Sequence, residues 1–119
     1  MKRTLWHTNF HHYADSEDIT PITESDEENH NLIGSLIEDT DNLHSPVLDI
    51  DFPARLVPST TPGHFHLYLD GLALHWSAYI DLLVALGRAG VLGEGYVNAS
   101  IDRGMTTVRP PHVKKDVAR

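Results

Sequence analysis

The chain contains no cysteine among its 119 residues. This absence excludes disulfide bonds, thiolate zinc sites and cysteine nucleophiles, and it fits a reducing cytoplasm. Long apolar runs are missing too. The longest, residues 79–91, is interrupted by Asp81, Gly87 and Arg88 and falls short of the roughly 20 residues that span a membrane. No apolar run follows the basic N-terminus, so a signal peptide is not expected and we predict a cytoplasmic protein without a membrane segment.

Basic residues are missing from a long N-terminal segment. Between Thr4 and Leu48 there are ten acidic residues and no Lys or Arg, whereas residues 55–119 contain five acidic and seven basic residues. The net charge of −8 therefore averages a strongly acidic segment and a slightly basic remainder. The acidic segment either stays solvated or occupies a basic groove on a partner protein. Within it, the aromatic-rich residues 4–13 form either a docked strand or a partner-binding peptide.

The distribution of apolar residues predicts how the chain is divided. Residues 14–31 have almost no large apolar side chains, so little burial offsets the entropy of ordering them, and we predict a loop or disorder. Residues 32–43 have helical spacing, which Gly34 weakens. The predicted divisions are an acidic, partly disordered leader over residues 1–45, a compact domain over residues 46–115 and a basic tail over residues 116–119.

Within the compact domain, hydrophobic periodicity predicts an α+β fold. Alternating apolar and polar residues indicate strands, and a 3.6-residue repeat indicates helices. The predicted strands cover residues 47–52, 55–57, 64–70 and 106–109, and the predicted helices cover residues 76–89 and 95–103. The order β-β-β-α-α-β favours a small, half-open, mostly antiparallel sheet packed on the two helices.

The alternation also predicts which side chains form the core. On each of the two clearest strands one face is apolar, and a helical stripe matches it. The residues predicted to be buried together are Leu48, Ile50, Phe52, Phe65, Leu67, Leu69, Leu83 and Leu86.

The polar faces of the same two strands supply the candidate site. Asp49 and Asp51 are two residues apart and share a face, as do His64 and His66. If the strands are neighbours, carboxylates and imidazoles converge on one surface, where the carboxylates could hold Mg²⁺ or Mn²⁺. The imidazoles could bind a transition metal or a phosphate. The alternative is a solvated sheet face without chemistry, since any half-exposed strand needs polar residues at alternate positions.

Three short segments resemble motifs of the archaeo-eukaryotic primase superfamily, especially the primase-polymerases of phages and plasmids. Residues 48–51, Leu-Asp-Ile-Asp, are similar to its first, metal-binding motif. Residues 63–68, Gly-His-Phe-His-Leu-Tyr, resemble its second motif, in which His66 matches a nucleotide-binding histidine. Ile101-Asp102 resembles the third motif. Residues 108–111, Val-Arg-Pro-Pro, with the following lysines, are similar to a downstream Arg-x-Pro segment.

This resemblance implies a metal-dependent domain that processes nucleotides or nucleic acid. Asp49, Asp51 and Asp102 would hold Mg²⁺ or Mn²⁺, and His66 would contact the nucleotide. Arg109 and Lys114 would contact phosphate, and the reaction would be in-line nucleotidyl transfer.

Two other classes of function stay open. The chain as a whole resembles small proteins of actinobacterial phages, a resemblance that implies no function but places the protein in the cytoplasm of a bacterial host. The second hypothesis is a small non-enzymatic phage accessory protein. Such a protein would bind a host or phage protein through its acidic leader. The third possibility is a structural subunit whose polar sheet face has no chemical role.

Overall fold

The protein has a small α+β fold with antiparallel strands and two helices, as predicted. The computed structural model describes residues 1–9 and 22–113. These residues belong to two compact units, an N-terminal unit over Met1–Ile50 and a C-terminal unit over Asp51–Arg119. Within the described ranges, no helix is long and apolar enough to cross a membrane.

The N-terminal unit is built on a three-stranded antiparallel sheet. Strand β1 (Arg3–His7) lies in the centre, with β2 (Thr23–Glu24) on one side and β3 (Leu32–Ile37) on the other. Leu5 is paired with Ile33 across the β1–β3 ladder. The predicted loop over residues 14–31 is thus partly ordered: β2 lies within it, while its residues 14–21 lie outside the described residues.

The helical prediction for residues 32–43 is wrong, because the segment begins with β3. The chain then turns and returns along the outer edge of β3, where Leu36 forms a bridge with His44. Asp39 and Asn42 adopt positive φ angles of 60° and 69° in that turn, as Asp and Asn tolerate better than most residues. As a strand, this segment forms its backbone hydrogen bonds with β1. As a helix it would have had to form them within itself, and the glycine would have weakened that helix.

Gly34 allows a close packing arrangement on this sheet. The indole Nε1–H of Trp6 donates a hydrogen bond to the Thr4 hydroxyl over 2.7 Å. A Cβ atom at position 34 would lie 2.5 Å from that Nε1 and 2.6 Å from the Thr4 Oγ1. Thr4 is buried. The glycine therefore leaves the space that the Trp6–Thr4 pair occupies.

The C-terminal unit begins with a β-hairpin. Strand β4 (Arg55–Pro58) pairs with β5 (Phe65–Tyr68), and the register sets Leu56 opposite Leu67 and Val57 opposite His66. The polar turn between the strands contains Gly63, whose φ of 81° favours glycine. The prediction of two strands around residues 55–57 and 64–70 is confirmed.

Two helices follow the hairpin, and both predicted helices are confirmed. Helix α1 (Trp76–Arg88) and helix α2 (Glu94–Arg103) pack on each other. The core lies between them, where Leu83 is 2% exposed and Val97 is 6% exposed. A Cβ atom on Gly87 would lie 3.2 Å from the Val97 side chain, so the glycine lets the helices approach closely.

Two predicted strands are absent from the described structure. Residues 47–52 and 106–109 form neither strand nor helix, so the element order after Ile50 is β4-β5-α1-α2. Neither segment has a paired neighbour, and a strand forms only where another strand accepts its backbone hydrogen bonds. Local sequence pattern therefore predicted two strands that find no partner among the described residues.

The predicted core is wrong for half of its members. Leu48, Ile50, Phe65 and Leu67 are exposed, with Leu48 at 77%, whereas Leu83 is buried as predicted. On the hairpin and beside it the half-buried side chains are Val57, Ser59, His66 and Tyr68, together with Leu69, which was predicted to be in the core. The hairpin has the predicted alternation but presents the other face to the protein.

One ion pair fastens the open end of the hairpin. The Arg55 Nε–H donates to the Asp70 carboxylate over 2.6 Å, and the guanidinium carbon lies 4.2 Å from the centre of the Tyr68 ring. The hydrogen bond from Arg55 lowers the pKa of Asp70, and the same bond raises the pKa of Arg55.

This ion pair predicts a pH dependence of stability. Because the pKa of Asp70 is lowered on folding, its contribution is present above the ordinary Asp range and is lost as the pH falls through the lowered value. The urea midpoint of the wild type should exceed that of Asp70→Asn at neutral pH, and the two should converge on acidification. Arg55→Gln should lose the same pH-dependent part of the stability as Asp70→Asn, and it also loses the contact with the Tyr68 ring. A difference between wild type and Asp70→Asn that persists in acid would contradict the pairing.

Candidate binding groove

A groove of about 810 Å³ separates the hairpin from helix α2 in the C-terminal unit. One wall comes from β5 and the turn before it, and its lining residues are Ser59, Thr60, Thr61, His64, Phe65, His66 and Leu67. The other wall comes from α2 and its flanking segments, and its lining residues are Leu92, Gly93, Tyr96, Ala99, Arg103, Thr107, Val108 and Arg109. We call this feature the β5–α2 groove.

The groove follows the free edge of β5. Residues 64–67 all line it, and no residue of β4 does. Neighbouring side chains of a strand point to opposite faces, so a groove on one face would be lined by alternate residues only. The Ser59 N–H donates to the His64 carbonyl over 2.9 Å. Since hydrogen-bonded pairs alternate along an antiparallel ladder, the backbone groups of His64 and His66 point toward β4. Those of Phe65 and Leu67 point toward the groove.

Two tyrosine hydroxyls hold the far wall in position. The Tyr79 hydroxyl, on α1, is 2.7 Å from the Thr106 hydroxyl. The Tyr96 hydroxyl, on α2, donates to the Thr107 carbonyl over 3.2 Å. These bonds fix the start of the segment after α2 beside the helices, and this segment carries Arg109 into the groove wall.

The groove has a positive charge in a chain that is negative overall. Arg103 and Arg109 both line it and are both exposed, and His64 and His66 lie on the opposite wall. Among the described residues that line it, none is Asp or Glu. Guanidinium groups without a carboxylate neighbour in the same groove are suited to anions, which they bind through charge-assisted hydrogen bonds.

The groove also has apolar walls. Phe65 is 56% exposed and Leu67 is 61% exposed, and both side chains come from the strand that borders the groove. Tyr96 and Val108, also exposed, contribute to the opposite wall. A ligand that fills the groove would therefore bury apolar surface as well as meet the two arginines.

The site residues predicted from the sequence are only partly brought together. His66 and Arg109 line the same groove. Asp49 and Asp51 are exposed, lie outside any strand and fall on either side of the boundary between the two units. Asp102 is exposed on α2 and does not line the groove. Lys114 lies outside the described residues.

The donor set of the groove does not fit a magnesium or manganese ion. Both ions prefer carboxylate and carbonyl oxygens, whereas this groove offers imidazole, guanidinium and hydroxyl groups. Among residues 1–9 and 22–113, no three His, Asp or Glu side chains are grouped closely enough to hold a metal ion. Metal binding by Asp49, Asp51 and Asp102 stays a prediction.

His66 carries an unusual feature for a half-buried side chain. Its Nδ1 atom is buried and has no hydrogen-bond partner among the described residues. A buried ring nitrogen without a hydrogen-bond partner lowers stability unless a bound group forms a hydrogen bond with it.

Sequence reasoning missed Arg103 and Tyr96 as site residues. The signal was present, because Tyr96, Ala99 and Arg103 are spaced by three and four residues and so share one face of α2. Deciding that this face borders a groove required the position of the hairpin, which periodicity does not supply.

No protein-family model, curated protein or solved structure matches the chain.

Proposed function

We propose that the C-terminal unit is a non-enzymatic binding module that takes an extended acidic segment of a protein into the β5–α2 groove. The observation that carries the proposal is a strand edge facing a helix across a groove, with no strand beside that edge and with two arginines and no carboxylate among the described lining residues. Extended peptides bind in such places by adding a strand to the exposed sheet edge.

The backbone of β5 supplies the first part of the recognition. The N–H and C=O groups of Phe65 and Leu67 are directed at the groove by the ladder register. Proteins protect free edges with lysine, proline or inward-pointing charge, and residues 65–68, Phe-His-Leu-Tyr, contain none of these. An incoming strand would thus find an unprotected template.

Side chains supply the selectivity. Arg103 and Arg109 favour a segment with carboxylates, and the mixed apolar lining favours one whose other residues are aliphatic. Alternating acidic and aliphatic residues meet both demands, because successive side chains of an extended strand point to opposite faces.

Binding of a synthetic peptide tests this proposal. A fluorescein-labelled peptide of alternating valine and glutamate should bind with anisotropy saturation, and the same peptide with lysine for glutamate should not. Arg103→Gln/Arg109→Gln should weaken binding by at least roughly tenfold, since each charge-assisted hydrogen bond contributes about 1.5–3 kcal/mol. Affinity should fall as salt is raised from about 0.1 M to about 1 M.

Two matched variants separate the groove from the rest of the hairpin. Leu67→Asp introduces a carboxylate in the groove and should abolish peptide binding. Leu56→Asp changes the cross-strand partner of Leu67, is 64% exposed and lies outside the groove, so it should bind as the wild type does. Equal loss in both variants, or equal binding of the glutamate and lysine peptides, would reject the proposal.

A nucleotide or single-stranded nucleic acid is the second candidate ligand. It is favoured by one observation: His66 and Arg109, which the primase resemblance assigns to nucleotide and phosphate contacts, line the same groove. A short single-stranded oligonucleotide should then displace the labelled peptide, with a salt dependence of about 0.7 per phosphate contacted. Failure to displace it would remove this candidate while the peptide proposal stands.

Nucleotidyl transfer with Mg²⁺ or Mn²⁺ on Asp49 and Asp51 stays a prediction, as does partner binding through the acidic leader.

A further inference from the structure

We propose that the segment bound in the groove comes from a second copy of this chain, whose residues 47–51 add as an antiparallel strand to β5. This proposal rests on the function proposed above and names its partner. Reciprocal exchange of the two segments would close a symmetric dimer with two identical strand additions.

Residues 47–51, Val-Leu-Asp-Ile-Asp, have the composition that the groove favours. From Leu48 to Asp51 aliphatic and acidic side chains alternate, and the sequence predicts a strand there. Within the described structure they form no strand, and all five side chains are exposed. Among the described residues, this strand-forming segment has no partner, and the groove-facing edge of β5 has no strand beside it.

The charges of the two surfaces are complementary. Asp49 and Asp51 provide two carboxylates on one face of the extended segment. Arg103 and Arg109 provide two guanidinium groups in a groove whose described lining residues include no Asp or Glu. The opposite pairs would steer the segment into the groove and fix its register.

Residues 47–51 lead directly into β4, and this connection argues against their pairing antiparallel with β5 of the same copy. The Gly71 N–H donates to the Pro53 carbonyl over 3.2 Å, and a Cβ atom at Gly71 would lie 2.5 Å from the Phe52 Cβ. Phe52 is thus held beyond the C-terminal end of β5. In an antiparallel addition, Asp51 would lie beside Phe65 at the other end of β5, at least about 10 Å further along the strand. Adjacent residues are only about 3.8 Å apart, so an antiparallel addition in this register needs the segment of a second copy.

Molar mass in solution tests the proposal. Light scattering after gel filtration should give about twice the chain mass of 13.3 kDa at high protein concentration and a shift toward monomer on dilution. Asp49→Lys/Asp51→Lys and Leu67→Asp should each be monomeric. Glu27→Lys/Glu28→Lys, which changes two exposed acids outside the segment, and Leu56→Asp should dimerise like the wild type.

Mixing identifies the two contacting surfaces. Asp49→Lys/Asp51→Lys keeps its groove and Leu67→Asp keeps its segment, so an equimolar mixture should form a heterodimer with one intact strand addition. A dimer that survives either variant alone, or a mixture that stays monomeric, would overturn the proposal.

The labelled valine–glutamate peptide distinguishes a failure of the proposed self-association from a failure of the proposed peptide binding. A wild type that stays monomeric at every concentration but still binds the peptide would overturn self-association and leave the proposed function standing. A wild type that neither dimerises nor binds the peptide would overturn both.

Discussion

Replacing Leu83 with alanine is expected to lower the free energy of unfolding of the C-terminal unit by about 2–5 kcal/mol, the usual range for a buried leucine. Leu83 and Val97 are the two described hydrophobic residues that are fully buried, and Leu83 packs where α1 meets α2. With so few buried apolar side chains, removing three carbon atoms takes away a large share of the core.

Urea denaturation measured by tryptophan fluorescence checks this expectation. Each unit contains one tryptophan, Trp6 in the N-terminal unit and Trp76 in the C-terminal unit, so Trp6→Phe leaves a signal from the C-terminal unit alone. Leu56→Ala is the matched control, because Leu56 is 64% exposed and its truncation should change stability by no more than about 0.5 kcal/mol. Similar losses in the two variants would mean that the core is not between the helices.

Replacing Gly34 with alanine is expected to destabilise the N-terminal unit by about 1–3 kcal/mol, the cost of overpacking. The added methyl group would lie 2.5 Å from the Trp6 Nε1 and 2.6 Å from the Thr4 Oγ1. Those two atoms hydrogen-bond to each other, and Thr4 is buried, so neither can move away without losing that bond.

Trp6 fluorescence in a Trp76→Phe background should show the loss as a lower urea midpoint. Gly95→Ala is the control, since a Cβ atom at position 95 meets nothing within 4 Å and the residue lies in α2. That change should leave the N-terminal unit unaffected and stabilise α2 by about 0.5–1 kcal/mol. A Gly34→Ala protein as stable as the wild type would mean that β3 does not pack on Trp6 as described.

The sequence by itself determined the two helices, the β4–β5 hairpin and the α+β class. These elements depend on local information: the helical spacing of Leu82, Leu83 and Leu86, and the polar turn before His64. It also identified His66 and Arg109, which the structure brings into one groove. Periodicity and turn composition act over a few residues, so they can be read without knowing the fold.

Only the tertiary structure decided which strands find partners and which faces are covered. Residues 32–37 read as helical but pair with β1, and residues 47–52 read as a strand but have no neighbour in the described chain. The alternation along β5 was correct, yet Phe65 and Leu67 are exposed while His66 is half-buried. Alternation shows that the two faces of a strand differ in polarity. Which face is buried depends on segments that are distant in sequence, and a local pattern carries no information about where those segments lie.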